Sequence, residues 1–102
     1  MKTEFQELAD VVDEVIKLLA FRDVGAWPDN LRRINDRIRN EWDEGPKLLL
    51  ELYGGMGSLN DIYICPENNQ KINPEEVQPV NQELSRLLSR AYELANKMIK
   101  MK

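Results

Sequence analysis

Residues 3–22 read TEFQELADVVDEVIKLLAFR, and the periodicity of this stretch decides the fold class. Phe5, Leu8, Val12, Val15 and Leu19 recur at steps of three and four, the period of an amphipathic helix. Val11, Ile16 and Leu18 widen the stripe into a broad buried face. Thr3 and Gln6 have the spacing of a capping box at its start. Gly25 falls just past its end, where a C-terminal glycine is expected.

Helical signals continue downstream. Pro28 suits the first turn of a second helix, with Trp27, Leu31, Ile34, Ile38 and Trp42 on one face and Gly45-Pro46 ending it. Both tryptophans are expected in the core. The other face carries Asp29, Arg33, Asp36, Arg39 and Asp43, which can pair along the helix. Residues 47–53, KLLLELY, fit a short helix from Pro46 or a buried strand; leucine, glutamate and the lack of β-branched residues favour helix. Ile62-Tyr63-Ile64 is strand-like but has no evident partner. Asn73-Pro74-Glu75-Glu76 reads as a helix start, with the two acids in the first turn. The last helix is expected from about Pro79 to Met101, with Leu84, Leu87, Ala91, Leu94, Met98 and Met101 on its apolar face and Lys97, Lys100 and Lys102 at its end. The expected fold is mostly α: one domain over residues 1–102, a compact bundle of four to five helices with a glycine-rich loop and at most a minor strand.

Composition narrows the function classes. The 102 residues contain no histidine, which removes the commonest general base near neutral pH and the commonest metal ligand. Cys65 is the one cysteine, so no intrachain disulfide forms and a reducing compartment is expected. Without a histidine partner, Cys65 is not read as a nucleophile. Residues 1–4, MKTE, lack the apolar core of a signal peptide, and no window approaches the ~18 apolar residues of a membrane helix. A cytoplasmic protein with no membrane contact is expected. No EF-hand spacing is present, and neither a metal nor a cofactor is expected.

The net charge is −4, which opposes nonspecific nucleic-acid binding. Its distribution is uneven: residues 1–79 sum to −7 and residues 80–102 to +3. A negative surface of this kind either packs near the basic last helix or steers a basic partner. On the first helix Asp10, Asp13 and Glu14 lie off the apolar stripe, with only Lys17 and Arg22 as local offsets. Asp43 and Glu44 sit at a helix end, where the dipole disfavours acids. Tyr92 lies at the edge of the last helix's stripe, where a ring is half buried and half offered to a partner. Asp10, Asp13, Glu14, Asp43, Glu44 and Tyr92 are therefore the partner-binding candidates.

The glycine segment, Gly54-Gly55-Met56-Gly57-Ser58, is the most unusual feature. It lacks the Lys-Ser or Lys-Thr of a phosphate-binding loop and the βαβ setting of a dinucleotide fold. Gly54, Gly55, Gly57, Ser58, Asn60 and Asp61 are read instead as a structural loop, with Asn60 and Asp61 bonding nearby backbone N–H groups.

Residues 53–61, YGGMGSLND, resemble a segment of small helical bacterial proteins, some of which are similar to immunity proteins of toxin–immunity systems, including contact-dependent growth inhibition. The resemblance covers these nine residues and the layout of two amphipathic helices before and one long helix after. It implies a bacterial, cytoplasmic protein that binds and neutralises a cognate toxin, often a nuclease, and it transfers no residue-level site. The leading expectation is thus a non-enzymatic immunity protein that blocks its toxin with an acidic surface. The alternatives are a structural or regulatory protein that dimerises through the last helix, and a small nucleotide-binding enzyme built on the glycine loop and Asp61.

Overall fold

Thr3 starts the first helix as its spacing predicts. Its Oγ1 accepts the Gln6 N–H at 3.1 Å, and Gln6 Oε1 accepts the Thr3 N–H at 3.0 Å. The computed structural model describes residues 1–100 and contains four α-helices: α1 (Glu4–Phe21), α2 (Trp27–Arg39), α3 (Gly45–Leu50) and α4 (Val77–Lys100). Single 3₁₀ turns lie at Leu59–Asp61, Pro66–Asn68 and Pro74–Glu76. The fold is mostly α, and no strand occurs among the described residues. No helix among them is long and apolar enough to cross a membrane. Met101 and Lys102 lie outside the described residues.

The stripe of α1 is covered from two sides, by α2 and by α4. Leu8, Ala9 and Leu19 are sealed completely, and Val12 and Val15 nearly so. Leu31 and Ile38 answer from α2, and Leu84, Leu87, Ala91 and Ala95 from α4, in one continuous core. The small Ala91 and Ala95 let a neighbour come close at the middle of α4.

Two helix ends differ from the sequence reading in the same way. Gly25 is not the capping residue of α1. Asp23 takes the left-handed position at φ 57°, its N–H donating to Ala20 C=O and the Val24 N–H to Leu19 C=O. This is a Schellman motif, and the buried Val24 supplies its apolar contact. The end of α2 repeats it. Glu41 sits at φ 58°, its N–H donates to Ile38 C=O, and the Trp42 N–H donates to Arg37 C=O. α2 therefore stops at Arg39 rather than at Gly45, and Trp42 leaves the apolar face. It is 44% exposed, not in the core; Trp27 is half-buried against the core.

Gly45-Pro46 opens α3 instead of closing α2. Gly45 is buried, and a Cβ there would lie 3.0 Å from Ile38 Cγ1 and 3.3 Å from the Ile38 backbone. Its lack of a side chain lets α3 start directly against α2.

Residues 51–76 cross from α3 to α4 without regular pairing, and side chains replace the missing ladder. Asn81 acts as a strand partner for Ile64: Oδ1 accepts the Ile64 N–H and Nδ2 donates to the Ile64 C=O, both at 2.8 Å. Gln70 Oε1 accepts the Cys65 N–H at 2.9 Å. Arg22 holds the far end, its guanidinium forked onto both Glu76 carboxylate oxygens at 3.2 Å. The Arg22 C=O also accepts the Lys71 N–H at 2.8 Å. Glu76 ends the 3₁₀ turn that feeds α4, so the long helix begins at Val77 and Pro79 lies in its first turn.

Replacing Asp23 by glycine relieves the left-handed strain and is expected to raise stability by about 0.5–1 kcal/mol, read as a higher urea midpoint. Gly45→Val drives a branched side chain into Ile38 and is expected to lower stability by about 2 kcal/mol on the same measurement.

Candidate functional site

The six candidate residues fall in three separate places. Asp10 and Asp13 face α2, where Arg39 reaches both: 3.0 Å to Asp10, and a short contact to Asp13. Lys2 pairs with Asp10 as well. Asn35, buried between the helices, donates to Asp13 Oδ1 at 2.8 Å and to Ala9 C=O at 3.1 Å. The Lys2 ammonium and the Arg39 guanidinium hold the Asp10 carboxyl below its ordinary range. Two cations thus meet two carboxylates. This corrects the reading that only Lys17 and Arg22 offset these acids. Arg39 pairs with α1, and Arg22 is committed to Glu76. Glu14 is exposed one turn further along α1.

Asp43 and Glu44 lie in the turn between α2 and α3, so they are not at an unfavourable helix end: α2 stops at Arg39, and Glu44 is the residue that caps the start of α3, where the dipole favours an acid. Glu41, Trp42, Asp43 and Glu44 are all exposed. The turn is closed by the Gly45 N–H donating to Trp42 C=O at 2.9 Å. The Arg37 guanidinium lies 5.0 Å from the Trp42 ring centroid and covers one side of the indole. Glu41 and Glu44 make no ion pair among the described residues. Asp43 also borders a small hollow with Glu4, Phe5, Pro46 and Met98, where the start of α1 and the end of α4 meet.

Tyr92 stands in an open groove of about 860 Å³ between α3, the glycine loop and α4. Leu50, Ile62, Leu84 and Leu88 contribute its apolar surface. The Tyr53 hydroxyl donates to Leu88 C=O at 2.7 Å, and its ring meets that of Tyr92 edge-on, with centroids 5.2 Å apart. Tyr92 is 44% exposed and Tyr63, from the loop side, 56%. Asn81, Ser85, Ser89 and Glu93 follow one another at steps of four along α4 and form a polar border.

The glycine segment supports one end of this groove. Gly54, Gly55 and Gly57 all have positive φ, which packs three reversals into four residues. Asn60 Oδ1 accepts the Gly54 N–H at 3.0 Å, and Asp61 Oδ2 accepts the Gly57 N–H at 2.9 Å. The Ser58 hydroxyl lies 2.6 Å from Gly55 C=O and 2.7 Å from Asn60 Oδ1. The Leu59 N–H donates to Leu52 C=O at 2.8 Å and closes the loop at its base. Two of the loop's N–H groups are thus occupied by its own side chains. No group of three or more Cys, Asp or Glu side chains among the described residues is placed to hold a metal ion.

Residues 21–73 match the family described as Domain of unknown function (DUF6966). The chain belongs to this family. No curated protein and no solved structure matches it. The DUF6966 segment begins at the last residue of α1 and ends before the turn into α4. It holds the acidic turn, the glycine loop and the groove wall that carries Tyr53 and Tyr63, while Tyr92 and the polar border lie outside it.

Three features of these surfaces escaped the sequence reading. The exposure of Trp42 depends on Glu41 entering the left-handed region, which no local residue signals. Tyr53 and Glu93 line the same groove only because α3 and α4 pack together. The run Asn81, Ser85, Ser89, Glu93 is visible as a polar ridge at steps of four, but a ridge beside an apolar stripe is also ordinary helix surface.

Burial raises the Tyr53 phenol above its ordinary 10.0. The fold favours the protonated ring, so this contribution is complete below pH 10 and is lost as the pH rises past it. Tyr53→Phe is expected to cost about 1 kcal/mol at neutral pH through the lost bond to Leu88. In alkaline urea melts the gap to the parent protein should then narrow.

Proposed function

We propose that this DUF6966 protein is a bacterial immunity protein that acts in the cytoplasm, binding and neutralising a cognate toxin rather than catalysing a reaction. The observation that carries the reading is the turn Glu41–Glu44, where a 44%-exposed tryptophan stands among three acids. Tryptophan is among the residue types most enriched where truncation costs binding energy. The flanking carboxylates supply long-range attraction to a basic surface. A nuclease must hold phosphate, so its active site is such a surface. The resemblance of residues 53–61 to immunity proteins supports the same class of partner.

The geometry ranks the candidate acids. Asp10 and Asp13 are offset by Lys2 and Arg39, so their field is largely cancelled at a distance. Glu41 and Glu44 are not offset in this way. This favours the α2–α3 turn as the proposed contact face, with Asp43 beside it and the α1 acids secondary.

The test is co-expression with the toxin domain encoded immediately upstream, followed by stopped-flow binding of the purified pair. Protection of growth is expected, with association slowing as salt rises. Glu41→Lys with Glu44→Lys should slow association on the order of tenfold at low salt, while Asp10→Asn leaves it nearly unchanged. Trp42→Ala should speed dissociation. Absence of protection, or association indifferent to the Glu41 and Glu44 reversals, rejects the proposal.

A further inference from the structure

The groove between α3 and α4 has a chemistry distinct from that of the acidic turn. Glu93 is the one charged side chain in its lining. It is exposed and makes no ion pair among the described residues. This is unexpected on a helix whose surrounding segment carries +3. Both arginines of α4 are committed elsewhere. Arg86 is held by Glu83 on its own helix, and Arg90 reaches Glu7 of α1 at 3.0 Å. Neither lines the groove. α4 therefore turns toward this hollow a tyrosine, two serines and a carboxylate that is in no ion pair among the described residues, with Lys97 one turn further along the helix.

We propose that the groove receives an arginine side chain from an extended segment of a protein partner. Its volume of about 860 Å³ falls within the roughly 300–1,000 Å³ of ligand pockets. The half-buried Leu50 and Ile62 offer apolar surface to the methylene stem, over a floor of the buried Leu84 and Leu88. Tyr63 and Tyr92 offer partly exposed rings to a delocalised cation. Ser85, Ser89 and Glu93 offer oxygen acceptors spaced along one helix edge. Arginine matches this set better than lysine. Its planar guanidinium stacks on aromatic rings and carries five donors in a fixed fork, whereas an ammonium is a compact, strongly hydrated point charge. The Tyr53 ring is fixed by its bond to Leu88 C=O and backs Tyr92, so part of the wall is preformed.

This inference does not depend on the toxin reading and is tested on the isolated chain. The probes are acetyl-Gly-Ala-Arg-Ala-Gly-amide and the same peptide with citrulline, the neutral isostere of arginine. Each is titrated into ¹⁵N-labelled protein and followed by NMR. Shifts are expected at Tyr63, Ser89, Tyr92 and Glu93, with the citrulline peptide binding about fivefold more weakly. Glu93→Gln should weaken the arginine peptide about threefold, and Tyr92→Leu should weaken it while leaving the circular-dichroism spectrum unchanged. Equal affinity for the two peptides overturns the proposal. So do shifts centred on Glu41–Glu44 that persist in Glu93→Gln, and an absence of shifts up to the solubility limit.

Discussion

Three side chains of α1, Leu8, Ala9 and Leu19, have no exposed surface at all, and they lie on a stripe too broad for one neighbouring helix to cover. Burying a leucine contributes about 1.5–3 kcal/mol. Leaving either side of α1 open would forfeit several such contributions in a domain of this size. α2 arrives by a short turn. The second cover, α4, starts only at Val77, so residues 51–76 must bridge the distance. Much of the remaining structure answers that demand.

The bridging segment has no sheet to join, yet Ile64 within it is fully buried. Its backbone groups need partners, and Asn81 of α4 supplies both. Arg22 and Glu76 join the end of α1 to the start of α4. The glycine loop gathers slack after α3 through its own side-chain bonds. The groove is what this arrangement leaves: α3 and the loop reach α4 at their bases, and Tyr53 and Tyr92 meet across the gap. It is a product of covering α1 rather than of any local motif.

This explains which parts were legible in the sequence. The stripes of α1 and α4, the Thr3 cap and the mostly helical content follow from residue spacing alone, because a helix's buried face is written every three or four positions. The errors fall where the signal is nonlocal. Gly25 and Gly45 were assigned as helix stops because glycine is the usual choice, whereas Asp23 and Glu41 take the left-handed positions. Trp42 was counted as core because the period was carried through a turn it does not cross. Arg39 was paired along its own helix, although packing of α2 on α1 brings it to Asp10 and Asp13. For Arg39, tertiary contact overrode a sound local rule; at the two helix ends an acidic residue took the place where glycine is usual. Of the candidate site, Tyr92 and the Asp43–Glu44 pair could be named from the sequence, but the partners that give them meaning, Trp42, Tyr53 and Glu93, could not.

The two acidic positions in left-handed backbone allow a last distinction. Asp23 and Glu41 each carry a strain that glycine would remove, of about 1 kcal/mol. Strain of this kind clusters at functional sites, but by itself it does not separate the two. Their surroundings do. Asp23 is followed by Val24, which turns inward and seals the end of α1, so the motif there completes the core. Glu41 is followed by Trp42, which the same backbone geometry turns outward between carboxylates. One motif, used twice, hides an apolar side chain at the first helix end and displays one at the second. The left-handed residue thus ends both helices in the same way, and only the side chain after it decides whether the turn joins the core, as Val24 does, or lies at the surface beside Arg37, as Trp42 does.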